Sequence, residues 1–203
     1  MRPAVDLAPG FAEPVHGAQR TFRDLLSALA CPGAPVETAG VDAAPAPLSP
    51  TLAAAALTLL DHETRVALCP PLDRAGVPDY LAFHTGADLG AALGEADFVL
   101  AAADALPDIA ALKVGTAEYP DRSATLLIGV DGFAGGERVT LSGPGIEETR
   151  DFAVDGLDAA FWAAARRNHA RYPLGVDFIF CGPGAVAGLP RSAAIAARAS
   201  GAG

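Results

Sequence analysis

Asp177-Phe-Ile-Phe-Cys181 is the stretch that decides the fold. Its apolar residues are consecutive, and Gly182-Pro-Gly184 follows directly. A short apolar run that ends at turn residues is typical of a strand covered on both faces of a sheet. The sequence therefore predicts a buried strand here, then a turn and a polar C-terminal tail.

Other short apolar runs predict further strands upstream of this one. They are Val66–Cys69, Leu81–Thr85, Phe98–Ala101, Ala124–Val130 and Arg138–Ser142. The Gly-rich stretch 131–136 separates the last two runs. Two strands joined by such a turn are typical of a hairpin, so we expect these two to pair.

Helix signals occur between the predicted strands. The clearest helix runs from Pro14 to Ala30, because proline suits a first helical turn and Cys31-Pro32-Gly33 suits a helix end. We expect its apolar stripe to be buried, at ~1.5–3 kcal/mol for each larger side chain. The stripe consists of Val15, Ala18, Phe22, Leu25, Leu26 and Leu29. Further predicted helices run from Ser49-Pro50 to about Asp61, from Pro107 to Lys113 and from about Leu157 to Ala170.

This alternation of helices and short apolar strands predicts the α/β class, with a mixed sheet covered on both faces in a three-layer α/β/α sandwich. The length of 203 residues fits one domain spanning 1–203. Within it, residues 1–13 are predicted to be a loose N-terminal arm and residues 192–203 a flexible tail.

Composition excludes several classes of partner. The formal net charge is −10, with 14 basic and 24 acidic residues. Phosphate backbones and anionic lipids repel such a chain, so we expect neither nucleic acid nor a membrane as a partner. Asp61, Glu63 and Arg65 interrupt the longest apolar segment, and the N-terminus carries no secretory signal pattern. The cysteines Cys31, Cys69 and Cys181 lie far apart, as expected for reduced, buried thiols in a cytoplasmic protein.

Known catalytic signatures are mostly absent from the sequence. It contains no GxSxG, no GxxxxGK[ST] and no GxGxxG. The histidines at 16, 62, 84 and 169 show no metal-ligand spacing, so no metal site is predicted. Lys113 is the sole lysine, so Schiff-base chemistry, including that of pyridoxal phosphate, would have to use it.

Three segments carry tentative ligand-binding residues, namely Ser142, Gly143, Gly145, His84, Asp177 and Arg191. The turn Ser142-Gly-Pro-Gly145 either cradles an anion on open backbone N–H groups or simply leaves the sheet. His84 is either a titratable site residue or a hydrogen-bonded structural histidine. Asp177 and Arg191 either pair with each other or leave Arg191 facing an anionic ligand.

The same segments resemble the PhnH family, the H subunit of the bacterial carbon–phosphorus lyase. The resemblance spans nearly the whole chain in the right order. It is carried by Pro14-Val15, Ala18-Gln19, Phe22-Arg23, Leu25-Leu26, Pro32-Gly33, Leu57–Asp61, Phe83–Thr85, Gly115-Thr116, Ala124–Leu126, Leu141–Ile146, Pro173–Asp177 and Leu189–Arg191. A long Ala- and Pro-rich segment after Gly40 and a shorter polar tail depart from the family pattern.

The resemblance implies a role in phosphonate catabolism, within a core complex with the G, I and J subunits. That system uses MgATP as substrate and replaces adenine by a phosphonate, which gives a ribose 1-phosphonate 5-triphosphate. The resemblance also implies a homodimer, a fold similar to the pyridoxal-phosphate-dependent transferases without the cofactor, and no lysine kept at the place of Lys113. The family motif names no catalytic residue, so the catalytic residues stay unknown.

Three hypotheses for the function follow. In the first, the chain is an interaction subunit that completes a multi-subunit enzyme and is not catalytic alone. In the second, it binds a phosphonate or nucleotide in its own cleft near Ser142–Ile146 and Arg191. In the third, it is a pyridoxal-phosphate enzyme, which rests on fold analogy alone and which the lysine count nearly excludes.

Overall fold

The computed structural model describes residues 8–74 and 76–197. Its helices are α1 (Pro14–Ala30), α2 (Pro50–Leu59), α3 (Val77–Thr85) and α4 (Ala159–His169), with a 3-10 helix at Ile109–Ala111. Its strands are β1 (Val36–Glu37), β2 (Val66–Leu68), β3 (Phe98–Ala102), β4 (Thr125–Gly129), β5 (Val139–Ser142), β6 (Arg150–Phe152), β7 (Asp177–Gly182), β8 (Ala185–Leu189) and β9 (Ala194–Ala197).

The main sheet has six strands in the order β1-β8-β7-β4-β3-β2. Strands β2, β3, β4 and β7 are parallel, whereas β8 and β1 run antiparallel to their neighbours. The predicted buried strand β7 lies between β4 and β8. Its side chains alternate between two hydrophobic clusters, with Phe178 and Phe180 in one and Ile179 and Cys181 in the other.

Each face of this sheet is covered by a different layer. Residues of α1, α2 and α3 cover the Ile179 face. Helix α4 and a three-stranded antiparallel sheet, in the order β6-β5-β9, cover the Phe178 face. The predicted α/β class with a mixed sheet is confirmed, although the second covering layer contains strands as well as a helix.

Side-chain caps explain where two of the helices begin. The Ser49 hydroxyl accepts a hydrogen bond from Leu52 N at 3.2 Å at the start of α2. Asp158 accepts from Ala160 N and Phe161 N, both at 3.0 Å, at the start of α4. These bonds satisfy backbone donors that the first helical turn leaves without a partner.

The predicted strand Leu81–Thr85 is wrong, because these residues form the second half of α3. Pro78 stands in the first turn of α3, and Gly86 ends it with φ of +70°. Buried Val77, Tyr80 and Leu81 follow the spacing of three and one that a helix requires. The predicted segment began at Leu81 and therefore left out Val77 and Tyr80, which carry the helical period.

The predicted hairpin is also wrong. Strand β4 has β3 on one side and β7 on the other, so neither edge is open to β5. Strand β5 pairs instead with β6 and β9 in the second sheet. The connecting loop is held by Asp155, whose carboxylate accepts from Gly135 N and whose N donates to Gly132 O at 3.0 Å.

The predicted burial of the α1 stripe is only partly correct. Leu25 is buried, but Val15, Phe22 and Leu26 are 78%, 45% and 51% exposed. The buried residues of α1 are mostly small, namely Gly17, Thr21, Leu25 and Ala28. A Cβ atom at Gly188 of β8 would lie 2.6 Å from the Ala28 carbonyl oxygen, so helix and sheet approach closely through small residues. The larger apolar side chains remain on a flank.

Three smaller predictions also need correction. The helix Pro107–Lys113 reduces to the 3-10 helix Ile109–Ala111. Strand β9 lies inside the predicted flexible tail 192–203, of which residues 198–203 lie outside the described residues. In the predicted arm 1–13, residues 1–7 also lie outside them, while Gly10 is buried.

Within residues 8–74 and 76–197, none of the helices is long and apolar enough to cross a membrane.

Candidate functional site

Arg191 and Asp177 form a bidentate ion pair at the start of β7. Arg191 Nε donates to Asp177 Oδ1 at 3.1 Å, and Nη2 donates to Oδ2 at 2.7 Å. The backbone N of Arg191 donates to the same Oδ1 at 2.7 Å. This geometry matches a guanidinium fork to a carboxylate, so of the two alternatives for Arg191 and Asp177 the pair is the one formed.

The same guanidinium also binds two backbone carbonyls. Arg191 Nη1 donates to Pro120 O at 2.7 Å and to Gly175 O at 2.8 Å. His169 Nδ1 lies 2.9 Å from Arg191 O, and because a carbonyl only accepts, Nδ1 carries the proton. These groups are called the Arg191 cluster below. Four of the five guanidinium N–H bonds are engaged, which leaves one on Nη2 for a ligand.

The turn Ser142–Gly145 lies beside the Arg191 cluster, and packing dictates its glycines. Ser142 pairs with Ala194, and a Cβ atom at Gly143 would lie 3.2 Å from Ser192 O. Gly145 has φ of +81°, and a Cβ atom there would overlap the Ala30 carbonyl oxygen at the end of α1. The turn is therefore pressed between α1 and the segment before β9, which explains the glycines without an anion.

His84 lies apart from the other predicted site residues, on α3. Its Nε2 lies 3.1 Å from Ala8 O, and its ring contacts Tyr80 and Phe83 at centroid distances of 4.5 and 5.1 Å. The structure thus joins Asp177 to Arg191, places Ser142 and Gly143 against the segment 192–194 that follows Arg191, and leaves His84 elsewhere. The hydrogen bond to the chain before α1 gives His84 a structural role.

Lys113 is held in an ion pair with Asp97. Its Nζ lies 2.6 Å from Asp97 Oδ1, and Arg65 N and Nε donate to Oδ2 of the same carboxylate at 3.1 and 3.4 Å. Burial alone would raise the pKa of Asp97, but the hydrogen bonds from Lys113 and Arg65 outweigh it, so that pKa lies below its usual value. This pair links the start of β3 to the loop before β4.

The two buried thiols, those of Cys69 and Cys181, show little nucleophilic character. Burial raises the pKa of the Cys181 thiol to about 12. Burial, followed by the nearby charge of Asp73, also raises the pKa of Cys69. Both therefore remain thiols near neutral pH. Cys31, which the sequence analysis expected to be buried, is exposed at the end of α1.

A cavity of about 790 Å³ lies beside the first half of α1 and was not predicted from the sequence. This α1 cavity is lined by Phe11, Ala12, Glu13, Gly17, Arg20, Thr21, Asp24, Glu37, Thr38, Ala39, Gly40, Val41, Asp42 and Gly184. Thr38 Oγ1 donates to Asp24 Oδ2 at 2.7 Å, and Thr38 N to Gly184 O at 3.0 Å. These bonds fix the segment after β1 opposite α1. The spacing of Glu13, Gly17, Arg20 and Asp24 on one helix face was the available signal.

Within the described part of the chain, no group of three or more His, Cys, Asp or Glu side chains is placed to hold a metal ion. The α1 cavity is therefore lined by carboxylates without being a metal cage.

Comparison with known proteins identifies the family. A family model described as "Bacterial phosphonate metabolism protein (PhnH)" matches residues 9–196. The chain belongs to the PhnH family. The resemblance drawn from the ordered sequence segments is thereby confirmed. The matched range includes both the Arg191 cluster and the α1 cavity.

Two relatives extend this finding beyond the PhnH family model. The chain is 40% identical over 186 residues to "Alpha-D-ribose 1-methylphosphonate 5-triphosphate synthase subunit PhnH" of Rhizobium meliloti, which covers 90% of this chain and 92% of the relative. It is 33% identical over 174 residues to "Putative C-P lyase subunit protein HtxG" of Stutzerimonas stutzeri, covering 86% and 83%. The names of both relatives describe a subunit of a larger enzyme.

Proposed function

We propose that this chain is a subunit of the enzyme that forms a ribose 1-phosphonate 5-triphosphate during the breakdown of organic phosphonates. The observation that carries the proposal is the 40% identity over 92% of a relative named as a subunit of that synthase. The family assignment over residues 9–196 supports it. Its substrates would be MgATP and a phosphonate, as the resemblance implies.

The geometry supports a subunit that completes the enzyme and is not catalytic alone. Displacing adenine from ATP requires stabilisation of the leaving base and of charge along the triphosphate. Here Arg191 is held by four hydrogen bonds and Lys113 by Asp97. The net charge of −10 also opposes binding of a triphosphate. Partner chains would therefore supply the catalytic charges.

Further parts of the proposal rest on the resemblance. The partners would be the G, I and J subunits, and the chain alone would form a homodimer in the cytoplasm. The fold would be similar to that of the pyridoxal-phosphate-dependent transferases, with residues 1–203 as one domain and without the cofactor. The ion pair of Lys113 with Asp97 supports the absence of a Schiff base, because an amine must be free to form one.

A second candidate function is a ligand cleft of the chain's own at the Arg191 cluster. The observation in its favour is the one N–H of Arg191 Nη2 that the bonds to Asp177, Pro120 and Gly175 leave over. One such donor gives a weak anion site. Calorimetry of the isolated chain with ATP and with methylphosphonate tests this candidate, and micromolar binding lost in Arg191→Lys would favour it.

The test of the proposed function is adenine release from MgATP in the presence of methylphosphonate, followed by chromatography. We expect no release by the purified chain alone, and release by the complex of this chain with the G, I and J subunits. Omitting this chain is expected to abolish or strongly reduce the activity. Turnover by the purified chain alone would contradict the proposal.

A further inference from the structure

The charges around the α1 cavity are unbalanced. Glu13, Asp24, Glu37 and Asp42 line it, and Arg20 is the basic residue among the described lining residues. Within the described chain, the ion pairs involve Asp73, Asp97 and Asp177, all of which lie elsewhere. The carboxylates of the cavity are therefore not neutralised by a salt bridge, and their combined field favours a cation.

A buried polar side chain points to an occupant of the same cavity. Thr21 is only 3% exposed and lines the cavity, yet its hydroxyl makes no hydrogen bond within the described residues. The Thr21 hydroxyl is not among the fully buried side-chain atoms without a partner, so it remains accessible from the cavity. A polar group that enters the cavity would supply the missing partner.

The flank of α1 that faces away from the cavity is apolar and exposed. Val15, Phe22 and Leu26 are 78%, 45% and 51% exposed. Positions separated by seven and four residues share one face of a helix, so these side chains form one continuous patch, called here the α1 apolar stripe. Exposed side chains of this size in a row are typical of an interaction surface. The α1 cavity lies on the opposite flank of α1, so a partner surface that straddles the exposed ridge at His16 and Arg23 contacts both.

We propose that α1 docks onto another subunit of the same enzyme, which inserts an arginine or lysine side chain into the α1 cavity and covers the α1 apolar stripe. The inference rests on the proposed function, because it needs a partner subunit. The carboxylates and the Thr21 hydroxyl at the cavity wall favour a cationic side chain as occupant. The exposed α1 apolar stripe favours an apolar surface as its cover, and a protein partner can provide both.

The experiment is co-purification of this chain with a tagged complex of the G, I and J subunits. One double variant, Glu13→Gln with Glu37→Gln, removes charges from the cavity. A second, Phe22→Ser with Leu26→Ser, makes the stripe polar. The matched controls are Glu118→Gln and Tyr172→Ser, which change an exposed carboxylate and a 61% exposed ring just after α4, on the other face of the main sheet from α1. None of the six side chains is buried, so thermal midpoints should stay within a few degrees of the wild type.

We expect the controls to be retained like the wild type and each double variant to be retained at least tenfold less. Added salt should weaken retention of the wild type more than that of the Glu13, Glu37 variant, because fewer charges remain to be screened. Retention of both double variants at the wild-type level would overturn the inference. The inference would also be overturned if the stripe variant dissociated a homodimer of the free chain but still bound the tagged complex. The α1 apolar stripe would then be covered by a second copy of this chain.

Failure of the proposed function has a different signature. In that case the folded wild-type chain is not retained by the tagged complex at all, and the inference falls with it.

Discussion

The Arg191 cluster and the α1 cavity both contain several charged side chains, but the charges are paired in the cluster and lack ion pairs in the cavity. In the cluster, Asp177 and two carbonyl groups meet the guanidinium of Arg191 within 3.1 Å. In the cavity, carboxylates line about 790 Å³ of space, and none of them lies in an ion pair within the described residues. Charges in the cluster are satisfied inside the chain, whereas the cavity carboxylates receive one hydrogen bond from the described residues, that from Thr38 to Asp24.

This difference indicates which of the two charged regions is the better candidate for binding a partner. A strand end with an arginine and a carboxylate is an attractive candidate in a sequence, yet such groups satisfy one another when they are close. The carboxylates that line the α1 cavity outnumber the one basic lining residue, Arg20, and form no ion pair within the described residues. The α1 cavity is therefore the better place to look for a partner, and the Arg191 cluster for stability.

The largest expected effect is that of Arg191→Ala. The change leaves Asp177 and the carbonyls of Pro120 and Gly175 without their donor, and breaking a largely buried pair costs ~3–5 kcal/mol. Urea denaturation measures the loss, with Arg138→Ala as control, because Arg138 is exposed and lies outside these contacts. Equal, negligible losses in both variants would show that the cluster does not hold the fold.

The next largest effect is a difference in stability between variants at two residues of α1, Leu25 and Phe22. Leu25→Ala should cost ~2–5 kcal/mol because Leu25 is 2% exposed. Phe22→Ala should cost only ~1 kcal/mol because its ring is 45% exposed and loses little contact with the core. Thermal midpoints of both variants check this. A loss for Phe22→Ala as great as that for Leu25→Ala would mean that the α1 apolar stripe is covered in the free chain.

A smaller effect concerns pH and the Asp97 carboxylate. Its pKa is lower in the folded chain than in the unfolded chain, so the stabilisation is complete above the unfolded pKa and is lost as pH falls through the folded pKa. The free energy of unfolding of the wild type should therefore drop below about pH 4. Asp97→Asn should be less stable at pH 7 and should show a shallower drop. Parallel curves for the two proteins would contradict the assignment.

The smallest expected effect is that of Glu37→Gln in the α1 cavity. This exposed carboxylate has no ion pair within the described residues, so the free energy of unfolding should change by less than ~0.5 kcal/mol. Any change should be a gain at low salt, because one of several like charges is removed. A loss above that size in urea denaturation would show that Glu37 is satisfied inside the chain and would remove the contrast with the Arg191 cluster.

Local patterns predicted the elements whose signals are local. Ser49-Pro50 at the start of α2, the apolar run of β7 and the proline at the start of α1 all appear in the structure where these elements begin. The ordered set of matching segments also led to the PhnH family, which the match over residues 9–196 confirms. These features depend on a few neighbouring residues, so a sequence alone carries them.

Strand pairing and burial were decided by the tertiary structure. Whether β5 pairs with β4 depends on β3 and β7, which occupy both edges of β4 and are distant in sequence. The side of α1 that faces the core depends on Gly188, which admits the backbone of α1 so closely that small residues fill the contact. The α1 cavity likewise arises where α1 meets residues 37–42. The amino-acid sequence determined helix α1, strand β7 and the family. Only the packing of distant segments decided which charges are paired and which are not.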